Sequence, residues 1–177
     1  MRRRAWFNQR FVWVESRRAY RMACILFWSI LMYLFFAHYV VGLGIVTDRS
    51  MLPTVSDGDY YLVNKYIYHV TRPRRGDVVA LHPDPLTEET YVKRVIGLSG
   101  ETLRLHEGGV YIDGRLLEES YASGLTFPDL GPQRIEARSY FVMGDNRLKS
   151  FDSRAFGTVP LERIKGKIRP GKLFAFW

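Results

Sequence analysis

The chain has 177 residues, a quarter of them charged, and a formal net charge of +8. That length suits one domain of ordinary size plus an anchor. Seven arginines against one glutamate fall in residues 1–47, which leaves residues 48–177 at only +2. A nucleic-acid domain carries its positive footprint on the folded part, so no nucleic-acid partner is expected.

Residues 1–21 mix arginine with Trp6, Phe7, Phe11 and Trp13. They read as a basic cytoplasmic arm, disordered in preference to an interfacial helix. From Met22 to Thr47 there is no Asp, Glu, Lys or Arg, a run of 26 residues. About 20 apolar residues cross a bilayer as a helix, so residues 22–47 read as a transmembrane anchor. A cleaved leader has an apolar core of roughly 7–15 residues followed by small ones. This run is longer and rich in bulky aromatics, which points to an anchor that stays. Arginines before the span and a balanced segment after it place the N-terminus in the cytoplasm and residues 48–177 across the membrane. Cys24, the only cysteine, falls inside the span. The outer domain therefore has no disulfide and rests on its own core.

Beyond the anchor the pattern changes to short strands. Tyr60 to Val70 is rich in tyrosine and β-branched residues after the turn Asp57-Gly58-Asp59. Arg72 to Asp77 is a Pro/Gly turn leading into the strand Val78 to Leu81, and its Arg75-Gly76-Asp77 reads as part of that turn, not as an adhesion motif. His82 to Thr90 is a loop, Tyr91 to Leu98 a strand, and Glu101 to Leu105 another. Val110-Tyr111-Ile112, Asp113-Gly114 and Arg115-Leu116-Leu117 form a hairpin signal, because Asp-Gly supplies the positive φ angles of a tight turn. Glu118 to Pro132 is polar and irregular, and Tyr140 to Met143 is a short buried strand. The expected fold is an all-β catalytic domain of short antiparallel strands with one N-terminal transmembrane helix.

Two residues stand out chemically. A serine hydroxyl is a weak nucleophile and needs an adjacent base; Ser50 stands three residues past the last uncharged residue of the run, Thr47. A lysine serves as that base only when neutral, which requires a low-dielectric setting. On the strand Tyr91 to Leu98, alternation puts Lys93 on a face with Tyr91 and Val95 and sends Arg94 the other way. Taken singly, Ser50 also reads as part of an ordinary turn and Lys93 as an exposed strand lysine. A third cluster, Met143 to Arg147 with Ser150 and Asp152-Ser153-Arg154, is dense in hydrogen-bonding groups. In it Ser150 can hold the lysine amine, and Asp152 can pair with Arg154 to brace the loop.

These segments together resemble the bacterial type I signal peptidases, the Ser-Lys leader peptidase family. The motifs run in order as Ser50-Met51-Leu52-Pro53-Thr54, Arg75-Gly76-Asp77-Val78-Val79, Tyr91-Val92-Lys93-Arg94-Val95-Ile96-Gly97-Leu98, and Met143-Gly144-Asp145-Asn146-Arg147 through Asp152-Ser153-Arg154, with Gly157, Val159 and Pro160 completing the last. The resemblance spans nearly all of residues 48–160. It implies a Ser50 nucleophile, a Lys93 general base, support from Ser150, Asp145 and an Asp152–Arg154 pair, and removal of signal peptides after small residues. Met51 and Tyr91 are the candidates for lining the two shallow substrate pockets. The implied partners are preprotein signal peptides and membrane lipid, at the bacterial cytoplasmic membrane.

The chain departs from the pattern two residues before the serine, where the family usually has serine or glycine and this sequence has Asp48. A carboxylate cannot donate to an oxyanion, so the Ser50 backbone N–H is expected to carry more of that role. Ser99 replaces a common proline, Ala155-Phe156 replaces a larger aromatic pair, and one span suggests a compact, single-anchor member. A rival reading is a maturation peptidase dedicated to a conjugation or pilus system with the same two residues. An inert membrane-anchored binding module would instead keep Ser50 and Lys93 apart or exposed. A self-cleaving repressor would need a DNA-binding domain where the anchor stands. No cofactor or metal is expected, since His38, His69, His82 and His106 lack ligand spacing.

Overall fold

The computed structural model describes residues 5–36, 40–84, 86 and 89–169. It divides into two compact units, Met1–Val40 and Val41–Trp177.

The first unit is the helix α1, Ala5–Phe35. Within it, Arg17–Phe35 is long and apolar enough to cross a membrane. Residues 5–21, read from sequence as a disordered arm, are helical. The uncharged run does not stay helical to Thr47, however. Val41–Ile45 forms a strand, β1, which belongs to the second unit. Glycine at positions 42 and 44 among β-branched residues makes a poor helix. Gly44 also lies against the ring of Tyr61, where a side chain would collide.

The second unit is built on antiparallel strands. β2 (Tyr60–Asn64), β3 (Val78–Leu81), β4 (Tyr91–Gly97), β9 (Ser139–Met143), β10 (Val159–Pro160) and β11 (Ile164–Arg169) join β1 in a seven-stranded sheet of order β1-β2-β11-β3-β4-β9-β10. β5 (Thr102–His106), β6 (Gly109–Ile112), β7 (Arg115–Leu116) and β8 (Leu130–Arg134) make a second sheet of order β7-β6-β5-β8. The Asp113-Gly114 hairpin forms as its chemistry dictates, with φ of 50° and 79° at the turn. The Arg75-Gly76-Asp77 segment is indeed a turn: Gly76 has φ 87°, and Asp77 accepts hydrogen bonds from Lys167 and Tyr68.

Two further expectations are corrected, and one strand carried none. The strand-rich stretch from Tyr60 stops at Asn64, whose side chain accepts the N–H groups of Tyr66 and Ile67 and turns the chain into a short helix, α2, Ile67–Val70. The region read as irregular ends in β8, which pairs with β5. β11 went unread although its IKGKIR alternates buried and exposed at every position.

β4 lies between β3 and β9, and six of its seven residues are buried. A central strand covered on both faces loses the polar–apolar alternation of a half-exposed one. Its side chains serve three clusters: Val92 with Val46, Met51 and Tyr61; Val95 with Val79 and Val142; Ile96 with Leu103 and Phe141. Two cations, Lys93 and Arg94, are set into this packed region, and each needs a specific partner there.

Candidate active site

Ser50 lies in the turn that follows β1, anchored by the burial of Met51 behind it. Its backbone carbonyl accepts the N–H of Asn146 at 2.9 Å, and the Asn146 amide donates to the Arg49 carbonyl. The Ser50 turn and the loop after β9 are thus laced together. Lys93 reaches the same point from the middle of β4, and its Nζ donates to Ser50 Oγ at 2.6 Å. Ser50 is 3 % exposed and Lys93 2 %. The inert reading required these two residues apart or exposed, and they are neither.

Burial is the main influence on the Lys93 amine and lowers its pKa. The carboxylates of Asp48 and Asp152 act against it, and the Arg154 charge acts with it. Arg94, on the other face of β4, makes no such contribution. Its guanidinium is engaged in a two-pronged pair with Asp145, at 2.8 and 2.6 Å. Asp145 also accepts from the Thr54 hydroxyl, to which Arg94 donates in turn. Asp145 therefore supports the site by fastening the far end of the Ser50 turn to β4.

Asp152 and Arg154 do pair. Arg154 Nε and Nη2 each lie 2.8 Å from an Asp152 oxygen, and Asp152 also accepts the Gly144 N–H at 3.0 Å. Burial would raise the Asp152 pKa, but the Arg154 hydrogen bonds, the nearby Ser150 hydroxyl, the Gly144 N–H and the Arg154 charge outweigh it and hold the carboxyl below its usual range. Arg154 further donates to the carbonyls of Arg147 and Phe127, so the pair closes the loop that carries Ser150. Ser150 departs from its expected role. Its Oγ is buried and makes no hydrogen bond to the lysine amine or to any other described residue, although the hydroxyl lies near enough to Asp152 to help lower that carboxyl's pKa.

A cleft of about 370 Å³ opens beside the pair, with Ser50, Lys93, Asp48, Met51, Val46 and Tyr91 among its walls. Met51 and Tyr91 do border it, Met51 as a buried floor and Tyr91 as a half-buried wall. Tyr91 also holds Lys93 Nζ 5.4 Å from its ring centre and stacks edge-on against Phe151.

Several residues at the site had no role in the sequence reading. Arg147, 3 % exposed, holds Glu119 and Thr126 and so ties the loop after β9 to the segment before β8. Thr54 and Arg94 stood inside recognised motifs but without a partner, because pairing with Asp145 across 91 and 51 positions leaves no local trace. Asp48 was noted for what it cannot donate. The structure shows what it accepts: Ser50 N–H donates to Asp48 Oδ1 at 3.1 Å, and Asp48 Oδ2 lies 3.9 Å from Lys93 Nζ. The N–H expected to serve an oxyanion is therefore occupied by a carboxylate.

The sequence profile of the family described as Signal peptidase, peptidase S26 matches residues 18–171. A signal peptidase I of Leptolyngbya laminosa is 40% identical over 136 residues, covering 73% of this chain and 67% of that protein. Signal peptidase I T of Bacillus subtilis is 36% identical, covering 78% of this chain and 77% of its own length. A crystal structure of a signal peptidase I from Enterococcus faecalis is 32% identical, with a TM-score of 0.49 over 56% of this chain and 99% of that one. With the profile running through both the apolar helix and the β unit, and relatives matched over most of their length, the chain belongs to the signal peptidase family, peptidase S26.

Proposed function

We propose that the protein is a membrane-bound serine endopeptidase that removes signal peptides from exported preproteins, cutting after small residues. Ser50 is the nucleophile and Lys93 the general base. The observation that carries this reading is the 2.6 Å contact between Lys93 Nζ and Ser50 Oγ within a buried setting.

With the lysine neutral, the contact reverses and the hydroxyl donates to the amine lone pair. Lys93 takes the proton as Oγ attacks the scissile carbonyl. The resulting ammonium then protonates the leaving amine, freeing the mature protein and leaving the signal peptide as an ester on Ser50. Water enters, Lys93 takes its proton, and hydrolysis of the ester restores the serine. The negative oxygen of each tetrahedral intermediate needs donors aimed at it, and the backbone N–H of the nucleophile Ser50 takes that role once Asp48 Oδ1 has left it. Ser150, buried beside Gly144, offers a hydroxyl near the loop that faces the pair.

Met51 and Tyr91 bound the cleft as shallow apolar walls, which suits small side chains such as alanine. Val41, Leu43 and Ile45 on β1 and Tyr60 and Leu62 on β2 point their apolar side chains to one exposed face. A contiguous exposed apolar face marks a membrane or partner contact, and Ile45 continues from it into the cleft. In this reading Arg17–Phe35 spans the bacterial cytoplasmic membrane once, the arginine-rich end lies in the cytoplasm, and the β unit works at the outer surface.

Cleavage of a model preprotein by the purified full chain, set against its Ser50→Ala form, tests the proposal. Processing by the native protein and none by the variant is the expected result; comparable turnover by both would remove Ser50 from the mechanism.

A further inference from the structure

Asp48 touches both halves of the proposed machinery. One of its oxygens accepts the Ser50 N–H at 3.1 Å, and the other lies 3.9 Å from Lys93 Nζ. The first contact has the form of an Asx turn, a side-chain oxygen accepting the N–H two residues on. Such a turn is usually only a way of shaping a loop. Here the N–H it consumes belongs to the nucleophile itself, and the carboxylate is 62% exposed, so solvent can receive it when it swings away.

A carbonyl under attack by Ser50 Oγ develops negative charge at the position the Asp48 oxygen now occupies relative to that N–H. Two anionic oxygens brought to one N–H repel each other and weaken both hydrogen bonds. Substrate must displace the carboxylate before the donor becomes available. The second contact works in the same direction. A negative charge 3.9 Å from the lysine favours the ammonium form, and only the free amine takes the serine proton.

We propose that Asp48 is a positioning residue that restrains the reaction, covering the Ser50 oxyanion donor and keeping a negative charge beside Lys93 until substrate moves it aside. The inference rests on the Ser50–Lys93 reading of the site. The other charged and titratable groups around it are Tyr91 and Glu89 on the approach to and start of β4, Arg49 in the same turn, and Asp152, Arg154 and Asp145 behind the lysine. The Tyr91 phenol is pushed up by burial, by Glu89 and by Asp48, so it stays neutral and adds no competing charge. The restraint at the cleft mouth is therefore carried by Asp48, with Glu89 directed to the Tyr91 hydroxyl at 3.1 Å.

Two substitutions separate the two effects. Asp48→Asn removes the charge but keeps an amide oxygen that can still accept the Ser50 N–H. Asp48→Ala removes both. The purified full chain in detergent micelles is assayed across pH on a short soluble peptide with alanine at the −1 and −3 positions. Both variants are expected to move the acid limb of kcat/KM to lower pH by about half a unit to one unit. Only Asp48→Ala is expected to raise the high-pH plateau as well, by roughly two- to tenfold. An unmoved acid limb in both variants would overturn the proposal, as would a plateau that is unchanged or lower in Asp48→Ala. Ser50→Ala in the same assay keeps the two readings apart. If it retains turnover, the Ser50–Lys93 reading fails; if it is inactive and Asp48→Ala shows no gain, the restraint alone is refuted.

Discussion

Gly144 lies so close to Ser50 that a β-carbon added to it would stand 2.5 Å from the Ser50 carbonyl oxygen, and closer still to the Ser150 hydroxyl. A backbone carbonyl cannot turn aside as a flexible side chain can. The glycine is required by this approach, since its φ is not in the left-handed region. Gly144→Ala should therefore push the nucleophile out of line with Lys93. A displacement of about 1 Å can cost on the order of a hundredfold in rate, while overpacking of this kind costs about 1–3 kcal/mol in stability. Peptide kinetics and thermal melts of the variant check this: activity should fall at least tenfold with the fold retained. Unchanged kcat/KM would mean that the Ser50 turn has more room than its contacts suggest.

Burial depresses the Lys93 pKa from an ordinary value of about 10.4. The amine is the active form, so the rate should rise with pH and level off above the depressed pKa. Lys93→Arg should be inactive, because guanidinium keeps its proton throughout the accessible range. A pH–rate profile of the native chain and an endpoint assay of the variant decide the matter. Turnover by the arginine form would assign the base to another group.

The Asp152–Arg154 pair is a stability element as well as a brace for the Ser150 loop. Asp152 is fully buried and Arg154 side-chain exposure is 8 %. Arg154→Met leaves an uncompensated buried carboxylate and should cost about 3–5 kcal/mol. The sign of the pH dependence follows from Asp152. Its folded pKa is lowered, so its contribution is full above the unfolded value of about 3.9 and fades as pH falls through the folded one. Melting temperatures of native and Arg154→Met forms should converge in acid. A gap that stays constant down to strongly acid pH would remove Asp152 as its source.

For specificity, the shallow walls formed by Met51 and Tyr91 should reject large side chains. A peptide with phenylalanine at −1 should be cut far more slowly than its alanine counterpart. Met51→Ala deepens the floor and should narrow that difference, measured as the ratio of the two kcat/KM values. Equal cutting of alanine and phenylalanine by the native enzyme would sink the pocket assignment.

The helix and the β unit offer a test of whether the anchor does more than tether. A flexible insertion of about ten residues gives a reach of roughly 15–20 Å. Because β1 belongs to the sheet, such a linker belongs after Phe36 and not between Thr47 and Asp48, where it would split the β unit itself. Processing of membrane-held preprotein should fall, and that of a short soluble peptide should change much less. Unchanged rates on both would reduce α1 to a tether.

Much of the architecture is local in origin and could be read before any coordinates. The charge-free run, the Asp113-Gly114 hairpin, the strand at Val78 to Leu81 and the position of Lys93 in β4 all follow from short-range pattern. Ser50 and Lys93 could be singled out because motif order and residue type need no geometry. The end of the anchor could not be read that way. A valine, two glycines, a leucine and an isoleucine satisfy an apolar span and a sheet strand equally, and only pairing with β2 settles Val41–Ile45 as strand.

The sequence by itself determined which residue types meet the chemistry: a serine, a lysine and a loop rich in charge. The tertiary structure decided who faces whom. Arg94 turns to Asp145 and not to Lys93, and Asp48, set beside the Ser50 N–H by a local turn, also comes within 3.9 Å of Lys93 Nζ. The long-range outcomes depend on sheet register, for Arg94 and Asp145 are 51 positions apart and Lys93 and Ser50 are 43. A buried polar group takes its partner from whatever the packing brings within about 3 Å, and no local pattern in the chain encodes that distance.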